Sequence, residues 1–278
     1  MYGLVFPGQG TQRPGMGVDL FRRYPELTAA AAEVLGWSPR ELSERGDVGQ
    51  LTDTRYAQPM VYLVNALQAL ARAEDDPRDY AVFAGHSLGE YNALVAAGFL
   101  DLMDGLRLVR ERALAMAEVR GGGMVAVIGL PAEQVERVIR RANLSQVFLA
   151  NHNSDRQVTL GGQTAQLGLA SRLLRSAGAS NVLPLRVSGP FHTPLMAPAQ
   201  ARFARAVREV TFRPGHALVV SSVTGTEFDL ASATDLLVRQ LVSPVRWVAV
   251  VHRLRRLGVR QVDELAGTTL TAMMEAIR

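Results

Sequence analysis

The chain is 278 residues long, 48% apolar and 20% charged, which fits one large globular domain, or one domain carrying a smaller insert. It contains no cysteine, so disulfides, thiolate metal sites and a cysteine nucleophile are excluded. All 30 basic residues are arginine, which removes Schiff-base lysine chemistry, and the formal charge of +4 suits an acidic partner. No arginine run interleaves with aromatics, so nucleic acid is not expected. The N-terminus has no basic segment leading into a long apolar core, and no apolar run reaches the ~18 residues of a membrane helix. The expectation is a cytoplasmic protein that does not engage a membrane.

In chain order, residues 2–6 form a short apolar run that stops at Pro7-Gly8-Gln9-Gly10, the pattern of a buried strand entering a tight loop. Residues 15–75 read mostly as helices. Tyr80 to Ala84 is a second apolar strand, followed by a helix from Tyr91 to Ala97 that Gly98 closes, and by an amphipathic helix from Leu102 to Arg120. The character changes at Gly121-Gly122-Gly123. Met124–Ile128 reads as a strand, Pro131 opens a helix, and Val147–Ala150 and Gln157–Leu160 are strands around a turn at Asp155-Arg156. A helix over about 164–177 and a strand over 182–187 complete a βαββαβ order, the ferredoxin-like pattern. The chain returns through a strand near 218–222, helices around 233–257 and a strand at 259–265. The predicted fold is therefore α/β: a large domain with a parallel sheet, formed by 1–121 and 189–278, and an inserted ferredoxin-like unit at 122–188.

Between the second strand and its helix lies Gly85-His86-Ser87-Leu88-Gly89. A strand, G-x-S-x-G and a helix form a nucleophile elbow, in which a sharp turn lifts the serine hydroxyl above the sheet edge. The helix start then offers free N–H groups to developing negative charge. The alternative is a structural serine in a turn. A nucleophilic serine needs a base, and the chain has five histidines. His86, next to Ser87, should point away from the hydroxyl; His152 and His216 lie at a strand end and in a loop, and His252 falls in an arginine-rich helix. His192 lies in a loop directly after a predicted strand, a place from which a base can be presented, though a structural histidine fits the same position. The histidines do not cluster at ligand spacing, so no metal is expected.

These pieces together resemble the malonyl-CoA:acyl-carrier-protein transacylase family, including the acyltransferases of polyketide synthases. The matching segments are Phe6-Pro7-Gly8-Gln9-Gly10, Gly85 to Tyr91, Arg112 within Val109 to Met116, Gly123 to Leu130, Asn153-Ser154 with Gln157-Val158, Phe191-His192 with Leu195-Met196, and Gln240 to Trp247. They run in family order along nearly the whole chain. The resemblance implies that Ser87 carries the acyl group as an ester and that His192 is its general base. It implies a backbone carbonyl, at Gln240, as the partner that orients His192. The oxyanion hole would be the N–H groups of Gln9 and Leu88. Arg112 would bind the malonyl carboxylate through paired charge-assisted hydrogen bonds; without the resemblance, a surface pair with Glu111 or Glu118 would be favoured. In the polyketide acyltransferases a Phe at the position of Phe191 goes with malonyl and a Ser commonly with methylmalonyl, so the resemblance implies malonyl. His86 is counted with these implied substrate-binding positions.

The implied reaction moves malonyl from malonyl-CoA to the phosphopantetheine thiol of an acyl carrier protein, with coenzyme A thioester as substrate and no permanently bound cofactor. It could serve fatty-acid synthesis or supply a polyketide assembly line in trans, and a monomer is expected. Alternatives are an acyl hydrolase clearing carrier proteins, and a non-catalytic carrier-protein-binding component. The chain departs from the family at Leu265-Ala266-Gly267-Thr268, where a Gly-Pro-Gly turn is usual.

Overall fold

The computed structural model describes residues 1–278. The elements are β1 (Tyr2–Phe6), α1 (Val18–Arg23), α2 (Pro25–Leu35), α3 (Pro39–Arg45), α4 (Val48–Thr52), α5 (Thr54–Asp75), β2 (Tyr80–Gly85), α6 (Gly89–Ala96) and α7 (Leu102–Glu118). They continue with β3 (Gly122–Ile128), α8 (Ala132–Arg141), β4 (Val147–Ser154), β5 (Gln157–Gln163), α9 (Thr164–Ser176), β6 (Asn181–Pro184) and α10 (Ala197–Arg208). The last are β7 (Leu218–Val220), α11 (Ala233–Gln240), α12 (Trp247–Arg256), β8 (Gln261–Glu264) and α13 (Thr269–Glu275).

β1 and β2 are near-continuous apolar runs because both faces of their sheet are covered. The sheet has the order β7-β2-β1-β8 and is parallel throughout, with Phe6 opposite Gly85 at the carboxyl ends of its central strands. Parallel strands need crossovers, and the helices supply them. The second sheet is antiparallel, in the order β4-β5-β3-β6, with α8 and α9 in its connections. It has its own apolar cluster, in which Val127, Val135, Val158, Leu160, Leu174 and Val182 meet away from the main core. The fold is thus α/β, with a parallel sheet and a separate small antiparallel sheet in ferredoxin-like order. No helix is long and apolar enough to cross a membrane.

Several boundaries differ from the sequence reading: β5 runs on to Gln163 rather than Leu160, β7 ends at Val220 rather than at 222, and β8 spans Gln261–Glu264 rather than 259–265. β4 runs on to Ser154 instead of stopping at Ala150, with register irregularities at Leu149/Asn151 and His152/Ser154. Its alternation breaks where polar Asn151, His152 and Asn153 enter, yet the backbone still pairs. β6 ends at Pro184, whose ring nitrogen has no hydrogen to donate, rather than running to 187.

The segment that departs from Gly-Pro-Gly joins β8 to α13. Ala266 there has φ of 60°, the left-handed region that glycine enters freely and alanine does not. Ala266→Gly is expected to raise unfolding free energy by about 1 kcal/mol in urea denaturation. A loss of stability would show that the turn does not strain Ala266.

Candidate active site

The site is built where β1 and β2 end side by side. The β1 chain leaves as Pro7-Gly8-Gln9-Gly10, and the β2 chain turns through Gly85-His86-Ser87 into α6. The two turns touch: His86 N–H donates to Phe6 O at 3.0 Å, and a Cβ on Gly8 would lie 2.7 Å from His86 O. A Cβ on Gly85 would lie 1.9 Å from the Gly89 carbonyl carbon, and one on Gly89 would lie 2.1 Å from Phe6 O. Both contacts are with backbone, so the elbow closes only with glycine at both positions. Ser87 itself has φ of 53°, the strained geometry of a nucleophile elbow. In the turn, Gly89 N–H bonds to His86 O and Glu90 N–H to Ser87 O, whereas neither Leu88 N–H nor Gln9 N–H has an acceptor within the chain.

His192 also has positive φ, 59°, and is 4% exposed. Its Nε2 lies 2.6 Å from Ser87 Oγ, and its Nδ1 lies 2.9 Å from the Gln240 carbonyl oxygen. A carbonyl only accepts, so Nδ1 carries the hydrogen and Nε2 is free to take the serine proton. Burial, with the Arg112 charge beside it, pushes the imidazole down to about 3, so it is neutral at physiological pH. The unfolded chain binds this proton below about pH 6.5. The stability held in the neutral ring is therefore complete above that pH and is lost as pH falls toward about 3.

Arg112 projects from α7 into the same space and is 1% exposed. Its Nη2 donates to Ser87 Oγ at 3.0 Å and to Gln240 Oε1 at 3.1 Å, and its Nη1 donates to Gln58 Oε1. The guanidinium lies over the Tyr91 ring, 5.7 Å from its centroid. Arg112 belongs to none of the ion pairs: Glu111 meets Arg110 and Arg202, and Glu118 meets Arg202. The surface pairing that residue order alone favoured is therefore wrong. Arg112 shares the buried stripe of α7 with Gly105, Val109 and Met116. Every acceptor it has is neutral, and burial pulls its pKa below the usual arginine range.

His86 points away from the hydroxyl, with Nε2 2.9 Å from Asn153 Oδ1 on β4 and its ring 5.7 Å from that of Trp247. It links the elbow to the second sheet rather than to Ser87 Oγ. Phe191 is 5% exposed, in the main apolar core one residue before His192, while Leu88 turns its side chain into that core. The other histidines lie apart from the serine. His152 binds the 243–246 segment through its N–H to Val245 O, His216 lies beyond the C-terminal end of α6, and His252 meets the carbonyl of Arg278.

Several polar residues of the site escaped the reading by residue order. Gln58 Nε2 donates to Thr54 Oγ1 at 2.7 Å, and Thr54 Oγ1 donates to Gln9 Oε1 at 3.1 Å, so hydrogen bonds run from Arg112 to the Gln9 loop. Asn65 Nδ2 holds that loop through Pro7 O at 3.1 Å. Thr54, Gln58 and Asn65 are polar residues on the buried face of α5, and that interruption of an apolar stripe was the available signal.

A cleft of about 650 Å³ between β4 and α12 reaches His192 and is lined also by Leu149, His152, Pro194, Val242 and Arg246. A more enclosed cavity of about 340 Å³, lined by Leu4, Tyr80, Phe83 and His216, includes the amino end of β2 but neither Ser87, His192, Arg112 nor Gln240. Ligands of parallel α/β sheets bind beyond the carboxyl ends of the strands, which is where Ser87 and the cleft are.

Residues 4–266 match the model of the acyl transferase domain family. The polyketide biosynthesis protein ThaF of Burkholderia thailandensis is 38% identical over the whole chain, which spans only 24% of that protein's length. The polyketide biosynthesis malonyl CoA-acyl carrier protein transacylase PksC of Bacillus subtilis is 36% identical, over 99% of this chain and 96% of its own length. Among solved structures, the malonyl CoA-acyl carrier protein transacylase of Burkholderia pseudomallei superposes with a TM-score of 0.95 at 36% identity, covering 100% of this chain and 98% of that one. With its match across both sheets and the elbow, the chain belongs to the acyl transferase domain family.

Proposed function

We propose that this protein transfers a malonyl group from malonyl-CoA to the phosphopantetheine thiol of an acyl carrier protein through an ester on Ser87. The observation that carries the substrate is the buried Arg112, a cation without a carboxylate partner, donating to Ser87 Oγ at 3.0 Å. An isolated buried charge is costly, and an acyl group that ends in a carboxylate supplies the missing anion next to the nucleophile. An acetyl group does not.

In the proposed reaction, Ser87 Oγ attacks the thioester carbonyl as its proton passes to His192 Nε2. Gln9 and Leu88 N–H groups hold the oxyanion, the carbon–sulfur bond breaks, and His192 returns the proton to the departing coenzyme A thiol. The carrier-protein thiol then attacks the seryl ester by the reverse sequence. The Gln240 carbonyl holds the Nδ1 hydrogen throughout. Phe191, buried beside His192, narrows the pocket at the α-carbon and favours malonyl over methylmalonyl; His86 supports the elbow wall of that pocket through Asn153. All these groups come from one chain, which supports a monomer that needs no resident cofactor. Residues 122–188 would form a subdomain inserted into the domain made by 1–121 and 189–278. The relative PksC, named for polyketide biosynthesis, supports a carrier protein of such an assembly line as the acceptor and, with coenzyme A thioesters as donors, a cytoplasmic setting.

Intact-protein mass after brief exposure to equal malonyl-, methylmalonyl- and acetyl-CoA tests the reading. A malonyl adduct that discharges onto a carrier protein and vanishes in Ser87→Ala is expected. No adduct, or one that water clears faster than the carrier protein does, would overturn it in favour of a hydrolase. In Arg112→Ala the malonyl-to-acetyl preference should fall on the order of a hundredfold, as the loss of two charge-assisted hydrogen bonds at ~1.5 kcal/mol each implies. An unchanged preference would remove Arg112 from acyl recognition.

Because His192 is neutral in the free protein down to about pH 3, kcat/KM for malonyl loading should not fall as pH drops through the ordinary histidine value. A malonyl carboxylate on Arg112 cancels one cause of the depression, so the acid limb of kcat should lie at higher pH than that of kcat/KM. Coincident limbs near pH ~6.5 would contradict the buried, neutral base.

A further inference from the structure

Glu90 stands in the first turn of α6 and plays no part in the transfer set out above. It is the only acid among the buried residues, at 0% exposure. Its Oε2 accepts from Gln240 Nε2 at 2.7 Å and from Ser222 Oγ at 2.6 Å, while Oε1 has no donor. Gln240 is fully committed in turn. Its Nε2 donates also to Ser87 O at 3.1 Å, and its Oε1 accepts from Arg112 Nη2 at 3.1 Å.

A glutamine side chain has one donor end and one acceptor end, and turning it over exchanges them. Glu90 Oε2 and Ser87 O both accept, so the amino end of Gln240 must face them. That leaves Oε1, and only Oε1, toward the guanidinium. The reversed amide would set its NH2 against the N–H groups of Arg112 and its oxygen against two other acceptors, Glu90 Oε2 and Ser87 O. Oε2 accepts whether or not Oε1 carries a proton, so the constraint does not depend on the ionisation of Glu90.

We infer that Glu90 is a positioning residue for acyl selectivity: through the Gln240 amide it holds the Arg112 guanidinium in the orientation that receives the acyl carboxylate. The inference rests on the proposed role of Arg112 as the carboxylate clamp. Glu90 touches neither the acyl group nor Ser87 Oγ, so its effect should show in which acyl group is loaded rather than in the Ser87–His192 chemistry.

The test is a double-mutant cycle of Glu90→Gln and Gln240→Leu, reading kcat and KM for malonyl-CoA and acetyl-CoA in transfer to a carrier protein. Glu90→Gln keeps the shape but brings an NH2 that must lie either against the Gln240 amino end or, without an acceptor, in the place of Oε1. The hold on the Gln240 amide therefore weakens to its bond with Ser87 O. Malonyl kcat/KM should fall by about tenfold, chiefly through KM, with acetyl-CoA affected by less than about threefold. Gln240→Leu keeps the backbone carbonyl for His192 and should lower the malonyl-to-acetyl ratio similarly; it tests the same link should Glu90→Gln not fold. The double variant should fall no further than the larger single loss, because both changes break one chain of contacts. Parallel losses for both acyl groups, an additive cycle or an unchanged ratio would overturn the inference. If the wild type loads no malonyl, or Arg112→Ala keeps its preference, the clamp itself fails. A clamp that behaves as proposed while Glu90→Gln keeps its ratio sinks only the role of Glu90.

Discussion

The Arg112 guanidinium is 1% exposed, donates to Gln58, Ser87 and Gln240, and meets no carboxylate at ion-pair distance. Such a charge is held against a desolvation cost, and the surrounding structure is arranged to meet it. Gln58 ties the guanidinium to α5 and, through Thr54, to the Gln9 loop. Gln240 ties it to α6 and α11, and the Tyr91 ring lies beneath it. The same cation lowers the proton affinity of His192, so clamp and base are electrostatically coupled. A ligand anion on Arg112 would relieve the buried charge and raise the basicity of the histidine together.

The second constraint is steric. Gly8, Gly85 and Gly89 let two strand ends approach until backbone touches backbone, and Ser87 takes a left-handed φ as the consequence. That strain is met by packing on both sides: the elbow is pinned from below by Phe6 O, and α6 is anchored by buried Tyr91, Asn92 and Leu94. A rigid elbow holds Ser87 Oγ 2.6 Å from a histidine that is itself fixed by the carbonyl of Gln240. Little movement is left for the reacting groups to lose on binding.

Much of this was legible in the sequence because it is local. The apolar run before Pro7-Gly8-Gln9-Gly10, the strand–G-x-S-x-G–helix order and the βαββαβ spacing each express short-range geometry, and the structure has all three. The burial of Arg112 was not legible: neighbouring Glu111 and Glu118 pointed to the surface, and its place with Val109 and Met116 on the buried stripe of α7 came only with the structure. The contacts that escaped join residues far apart in the chain, such as Glu90 with Ser222 and Gln240, or His86 with Asn153. No periodicity reports a pairing across 67 to 150 positions. A polar residue on a buried face announces only that some partner exists. Ala266 is the reverse case, where the sequence showed a departure and only the backbone gave its meaning.

The most direct test of the account is a crystal structure of the chain trapped as its malonyl ester on Ser87. The account predicts both carboxylate oxygens on the Arg112 guanidinium at ~2.8 Å, with the Gln240 amide unturned and the ester carbonyl oxygen facing Gln9 and Leu88 N–H. A malonyl carboxylate directed into the cleft, with Arg112 still bonded as in the free protein, would contradict it.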